Sequence, residues 1–201
     1  MDEVRPRAGR PRSEQARQAV LHAVDDLLVE VGYAALTMKG IAERAGVGRQ
    51  TIYRWWSTKA EVLFEAAITD AAKELGDTPR ATTIDDVVAY LDGAERFLTT
   101  SPAGVAYRVL VGEAQHDPEV ARLLGSAALF DRPVDGVLTR GIERGDIAPA
   151  VPFAEAAAIL TGPVFYRALT GAGGPVVPTG VLAAALLAAV QDLAHRHQET
   201  A

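Results

Sequence analysis

The sequence has no cysteine, so disulfides and thiolate metal sites are excluded. Its four histidines, His22, His116, His195 and His197, fall into no metal-ligand motif of familiar spacing. No G-x-S-x-G, Walker-type loop, H-E-x-x-H or G-x-G-x-x-G occurs. The expectation is a protein that is no enzyme and uses no cofactor or metal. Glu113 and His116 lie three apart, a spacing open to acid–base chemistry or half a metal site. Without a pocket and partner ligands, the pair reads as the polar end of a helix before Asp117-Pro118. No apolar stretch has the length of a membrane span, and residues 181–190 are apolar but too short. No N-terminal apolar run has the form of a signal peptide, so the expected location is the cytoplasm, with no membrane partner.

What is present favours helix. Hydrophobic residues make up 49% of the chain, enough for a sizeable core. Alanine is abundant while isoleucine and threonine are modest. The formal net charge of −6 is unevenly spread. Residues 1–60 carry 10 Lys/Arg against 7 Asp/Glu, and residues 61–201 carry 10 against 19. A basic end and an acidic body suit a chain that meets DNA at one end.

The most informative stretch is 37–59, T-M-K-G-I-A-E-R-A-G-V-G-R-Q-T-I-Y-R-W-W-S-T-K. Thr37 is placed to cap a short helix whose Met38, Ile41, Ala42 and Ala45 share a face. Gly46 follows where a left-handed residue ends a helix, and Val47 points back to the core. Gly48 opens a second helix, to Trp56, with Ile52 and Trp56 inward. Arg49, Gln50, Thr51, Tyr53 and Arg54 then lie outside its buried face, a set suited to a nucleic-acid groove. Thr58-Lys59-Ala60-Glu61 is a capping box opening another helix, which puts Lys59 beside amides that favour phosphate.

The run I-A-x-x-A-G-V-x-x-x-T-I-Y-x-x-W followed by T-K-x-E-V-L resembles the helix-turn-helix of the TetR/AcrR family of transcriptional regulators. With the preceding helix the resemblance covers roughly residues 14–74. Gly48 departs from the Ser or Thr usual there and removes a possible phosphate hydroxyl. The resemblance implies an all-α protein with a helix-turn-helix motif at 37–56 inside a DNA-binding domain at 14–74. It also implies a C-terminal regulatory and dimerisation domain at 75–201. The function implied is a homodimeric, sequence-specific regulator, in the repressing sense, released from a near-palindromic operator by a small-molecule inducer. Arg49, Gln50 and Thr51 are expected at base edges, and Thr37, Tyr53, Arg54 and Lys59 at phosphates. The alternative is an architectural or interaction protein that binds DNA without strong sequence choice.

Either side of the motif, the pattern continues. Residues 1–13 hold Arg5, Arg7, Arg10 and Arg12 among Pro6, Gly9 and Pro11, and read as a flexible basic arm that reaches DNA through Arg10 and Arg12. Ser13 is the expected cap of a helix over 14–32 with Val20, Val24, Leu27, Leu28 and Val31 inward, Asp25, Asp26 and Glu30 outward, and Gly32 at its end. Further helices are expected from Thr58 to about Leu75, from about Ile84 to Thr100, over 103–115, and over 118–144 with an interruption near Asp131-Arg132-Pro133. Two more follow, from Pro152 to Thr170 and from a Thr179 cap to about His195, for about nine helices and no strand. I-E-R-G-D-I after Gly141 resembles a turn common in this family's C-terminal half.

In that half Tyr90, Phe97, Tyr107, Arg108, Glu113, His116, Phe165 and Tyr166 are polar or aromatic groups set in apolar helices. The resemblance implies an inducer pocket among them. Ala154, Ala157, Ala158, Thr161 and Gly162 are small residues on overlapping faces, and Val181, Leu182, Ala185, Leu186, Ala189, Val190 and Leu193 form a broad apolar stripe. The resemblance implies a homodimer through these last two helices, with Ala158, Gly162, Leu182, Leu186, Ala189, Val190 and Leu193 at the interface.

Overall fold

A computed structural model describes residues 10–76, 78–126, 129–171 and 177–200. The described residues form ten helices: α1 (Arg10–Ala35), α2 (Met38–Arg44), α3 (Arg49–Tyr53), α4 (Lys59–Glu74), α5 (Thr83–Thr100), α6 (Pro102–Glu113), α7 (Pro118–Gly125), α8 (Asp131–Glu143), α9 (Phe153–Thr170) and α10 (Thr179–Thr200). Among the described residues there is no strand. One helix more than expected arises because 118–144 divides into α7 and α8, with Pro133 inside the first turn of α8 rather than at the break. A proline there displaces no intrahelical bond, since first-turn amides have no partner.

The same physics corrects the start of the chain. The backbone is already helical from Arg10, and Pro11 occupies the first turn, so Ser13 is inside α1 rather than its cap. Residues 1–9 of the expected arm lie outside the described residues, as do the side chains of Arg10 and Arg12. At the other end Gly32 takes φ 74° and breaks the helical path, as expected. Val20, Val24 and Leu28 are buried, whereas Val31 is 49% exposed. α10 begins at Thr179 itself, with Pro178 supplying the carbonyl that Val181 and Leu182 N–H groups bond.

α1, α2, α3 and α4 make the N-terminal unit, and α4 continues into the body by packing on α6. α5 is the body's central helix, touched by α4, α6, α8, α9 and α10. Its Val87, Leu91, Ala94, Phe97 and Leu98 are all at most 1% exposed. α5 and α6 meet very closely at Gly104, where a Cβ would stand 1.8 Å from the Phe97 carbonyl oxygen. Ser101 ends α5 and caps α6, and its hydroxyl donates to Glu74 Oε1 at 2.8 Å, tying the hairpin to the end of α4.

A buried ionic cluster joins α5 to α8. Asp86, 2% exposed, accepts from Arg140 Nε at 3.0 Å, from Arg144 at 2.7 Å and from the Arg80 backbone N–H at 2.8 Å. Burial by itself would raise the Asp86 pKa, but hydrogen bonds from Arg140, Arg144 and Arg80 hold it below the usual carboxylate range. The I-E-R-G-D-I segment is a tight turn in which the Asp146 and Ile147 N–H groups both bond the Gly141 carbonyl. Its Asp146 carboxylate accepts from Thr83 at 2.6 Å, and its backbone carbonyl accepts from Gln191 of α10 at 2.9 Å. Among the described residues no helix is long and apolar enough to cross a membrane.

Candidate DNA interface and ligand pocket

The α2–α3 unit is built by its caps. Thr37 Oγ1 accepts the Gly40 N–H at 3.0 Å, satisfying one orphan donor of α2. At the far end Gly46 takes φ 66°, its N–H bonds the Glu43 carbonyl, and the Val47 N–H reaches back to the Ala42 carbonyl at 3.0 Å. This is a Schellman ending, whose left-handed position suits glycine and whose next residue packs on the core. Gly48 precedes α3 with no side-chain cap. Ile52 and Trp56, 0% and 3% exposed, anchor α3 and the turn after it. Regular helix stops at Tyr53, short of the expected Trp56.

With that inner face fixed, Arg49, Gln50, Tyr53 and Arg54 are exposed and Thr51 is half-buried. The Arg54 guanidinium lies 5.1 Å from the Trp55 ring centroid, within cation–π range. Thr58 caps α4 by accepting from the Glu61 N–H at 3.2 Å, and Glu61 returns the bond to the Ser57 N–H. Lys59 is placed differently from the bare sequence reading. Its ammonium donates to the Tyr33 carbonyl at 2.7 Å and lies 4.2 Å from that ring's centroid.

Two ion pairs that sequence reading missed hold α1 to this unit. Arg44 of α2 meets Glu30 of α1 in a two-point contact, and this pairing lowers the pKa of Glu30. Glu65 of α4 accepts from Trp56 Nε1 at 2.9 Å and from Arg17 of α1 at 2.7 Å. Both are i-to-distant contacts with no local spacing signal. Asp25 is half-buried rather than fully outward. Burial first, and then the charge of Asp70 on α4, push its pKa up to about 6.

In the body the fold gathers some of the expected ligand residues. Phe97, Tyr107 and Phe165 surround Phe130, with centroid distances of 5.9, 5.6 and 4.8 Å to its ring. Tyr90 is buried, and its hydroxyl shares a 2.6 Å hydrogen bond with Thr161. Burial raises the Tyr107 pKa to about 12 and also raises that of Tyr90, with Asp131 adding to both. An opening of about 340 Å³ between α7, α8 and α9 is lined by Tyr107, Leu124, Phe130, Asp131, Thr161 and Phe165 among others. A more polar cavity of about 230 Å³ lies where α4 ends, lined by Glu74, Arg80, Asp86, Tyr90 and Arg140 among others.

Four expected ligand residues fall elsewhere. Arg108 donates to the Ala168 carbonyl at 3.0 Å and lines an open groove between α6 and the end of α9. Glu113 and His116 are exposed, and neither lines those two cavities or that groove. Tyr166 is 67% exposed. The reason is rotation: a neighbour on a helix is turned about 100° away, so Arg108 and Tyr166 cannot share the faces of Tyr107 and Phe165. Phe130, Asp131 and Thr161 went unmarked as pocket residues because two lie at a helix start and the third among small residues.

The expected interface residues divide in the same way. Ala158, Gly162 and Ala189 are exposed, and Leu182, Leu186 and Leu193 are half-buried. Val190 is 0% exposed within its own subunit, together with Ala183 and Ala194. These three share the inner face of α10 packed on α5 and α9, so Val190 does not belong to an intersubunit surface.

The sequence and fold have clear relatives. Residues 20–66 match the model of bacterial regulatory proteins of the tetR family. Residues 75–190 match that of the tetracyclin repressor-like C-terminal domain. The chain is 35% identical to the uncharacterized HTH-type transcriptional regulator YdeS of Bacillus subtilis (strain 168), over 80% of this chain and 82% of that one. It is 30% identical to the DNA-binding transcriptional repressor TetR of Mycobacteroides abscessus, over 67% of this chain and 72% of that one. Among solved structures, the TetR family transcription regulator SCO0332 superposes with a TM-score of 0.71 at 28% identity, covering 89% of this chain and 97% of that one. FadR of Bacillus subtilis, in complex with stearoyl-CoA, superposes with a TM-score of 0.63 at 18% identity, covering 87% and 97%.

Proposed function

Since the chain belongs to the TetR family of helix-turn-helix, DNA-binding transcriptional regulators, we propose that it is a cytoplasmic repressor that releases its operator on binding a small molecule. The observation that carries the reading is the join between the two halves. α4 starts at the helix-turn-helix and ends beside the cavity lined by Tyr90, whose hydroxyl bonds Thr161 on the wall of the aromatic opening. A ligand against that wall is therefore positioned to bias the tilt of α4 and the spacing of two recognition helices. Residues 14–74 act as the DNA-binding domain and 75–201 as the regulatory and dimerisation domain.

On DNA, Arg49, Gln50 and Thr51 meet base edges, while Thr37, Tyr53, Arg54 and Lys59 meet phosphates. Lys59 has to leave the Tyr33 carbonyl to do so. The homodimer forms through the outer faces of α9 and α10, so the operator has two related half-sites about a helical turn or a small multiple apart.

Selection of the full-length protein on random DNA tests this. A two-fold symmetric sequence should be enriched, Gln50→Ala should change the selected bases, and Tyr53→Phe should weaken all sequences alike. An inducer should lower operator affinity by roughly 5- to 150-fold. Selection that enriches no sequence over random DNA would instead favour non-specific, architectural binding.

A further inference from the structure

Resting on the pocket reading above, we infer that the opening between α7, α8 and α9 selects a small apolar cation, an aromatic or alkyl amine, over an anionic ligand. Its walls combine three aromatic side chains with one carboxylate. Tyr107, Phe130 and Phe165 are packed edge to face, with centroids 4.8 to 6.1 Å apart. Aromatic faces attract a cation through their quadrupole, most strongly where water is excluded. Tyr107 and Phe130 are 9% and 6% exposed, Phe165 is half-buried, and Asp131 is exposed at the mouth.

Asp131 supplies the charge. It is the first residue of α8, where the helix dipole favours a negative side chain. Its charge is felt at Tyr107 on the same opening, whose pKa burial raises first and Asp131 raises further. Among the described residues no lysine, arginine or histidine lines the opening. A carboxylate or phosphate head group would thus meet repulsion with no counter-charge. An ammonium would meet a carboxylate at the rim and rings below it, with the Thr161 hydroxyl as a further acceptor. The opening, about 340 Å³, has room for a compact ligand.

The test is calorimetric titration of the full-length protein with three probes of similar size: benzyltrimethylammonium, its neutral carbon isostere neopentylbenzene, and 3-phenylpropionate. The cation should bind most tightly and the anion most weakly. Asp131→Asn should weaken the cation about fivefold and leave the neutral probe unchanged, as expected for one partly screened charge pair. Asp131→Glu should keep the preference, which separates charge from any effect on α8. Equal binding of all three probes, or indifference of the cation to Asp131→Asn, overturns the charge selectivity while leaving the pocket intact. No binding by the two charged probes at millimolar concentration, or by the neutral one up to its solubility limit, overturns both. A cation that binds with the expected preference but leaves operator affinity unchanged supports the selectivity and removes the inducer role.

Discussion

Asp25 illustrates how a single residue changes meaning once its neighbours are known. On α1 alone it belongs with Asp26 and Glu30 on a solvated face. In the fold it is half-buried, and that burial first, then Asp70 of α4, raises its pKa to about 6, with His22 lowering it and Asp26 adding to the rise. A carboxyl that holds its proton more tightly in the folded state adds stability as pH falls from about 6 towards its ordinary value near 3.8. Above pH 6 the ionised form is a cost. Asp25→Asn should therefore stabilise the protein at pH 7 to 8 by about 1 kcal/mol, after discounting for partial exposure, and lose that advantage near pH 4. Urea unfolding at the two pH values checks this, and an equal effect at both would rule it out.

At the scale of elements, the α5–α6 hairpin is fixed by one close approach. The Cβ of an alanine at 104 would meet backbone atoms of Phe97, which cannot rotate away as a side chain could. Gly104→Ala should cost about 1–3 kcal/mol or more, since overpacking forces backbone shifts. Gly112, on the same helix, has nothing within 4 Å of the equivalent position. Gly112→Ala should be neutral or stabilising by up to about 1 kcal/mol. Comparing denaturation midpoints of the two variants isolates the contact from helix propensity. Nothing in the local sequence distinguishes the two glycines. Both sit in an apolar helix, and only the Phe97 carbonyl from α5 makes one of them obligatory.

For the whole molecule, the proposed dimer rests on the outer face of α9 and α10. Ala158, Gly162, Ala185 and Ala189 are exposed there, with Val181 at 58%. Small side chains let two helices approach closely, and a two-fold contact covers the face on both subunits at once. Ala189→Arg should convert a dimer into monomers that keep their helical content. Val190→Ala should instead lower stability by about 1–3 kcal/mol with the dimer retained, because its partners are in its own subunit. Sedimentation with circular dichroism distinguishes the two. A wild-type monomer at micromolar concentration would refute the interface.

What the sequence determined by itself is what local periodicity and capping can express. Thr37 and Gly46 signal the two ends of α2 and Thr58 the start of α4 through their own hydrogen bonds and φ angles, and each does so in the structure. Ile52 and Trp56, four residues apart, declare the buried side of α3 and of the turn after it, and so which residues face out. Tertiary structure decided everything that depends on two distant segments meeting. It paired Asp86 with Arg140 and Arg144, put Val190 inside, and brought Phe130 and Asp131 beside Tyr107 and Phe165 while leaving Glu113, His116 and Tyr166 outside. The physical reason is that a helix's period fixes which residues share a face. Which face meets which is set by the packing of whole helices, and no single stretch of chain contains that information.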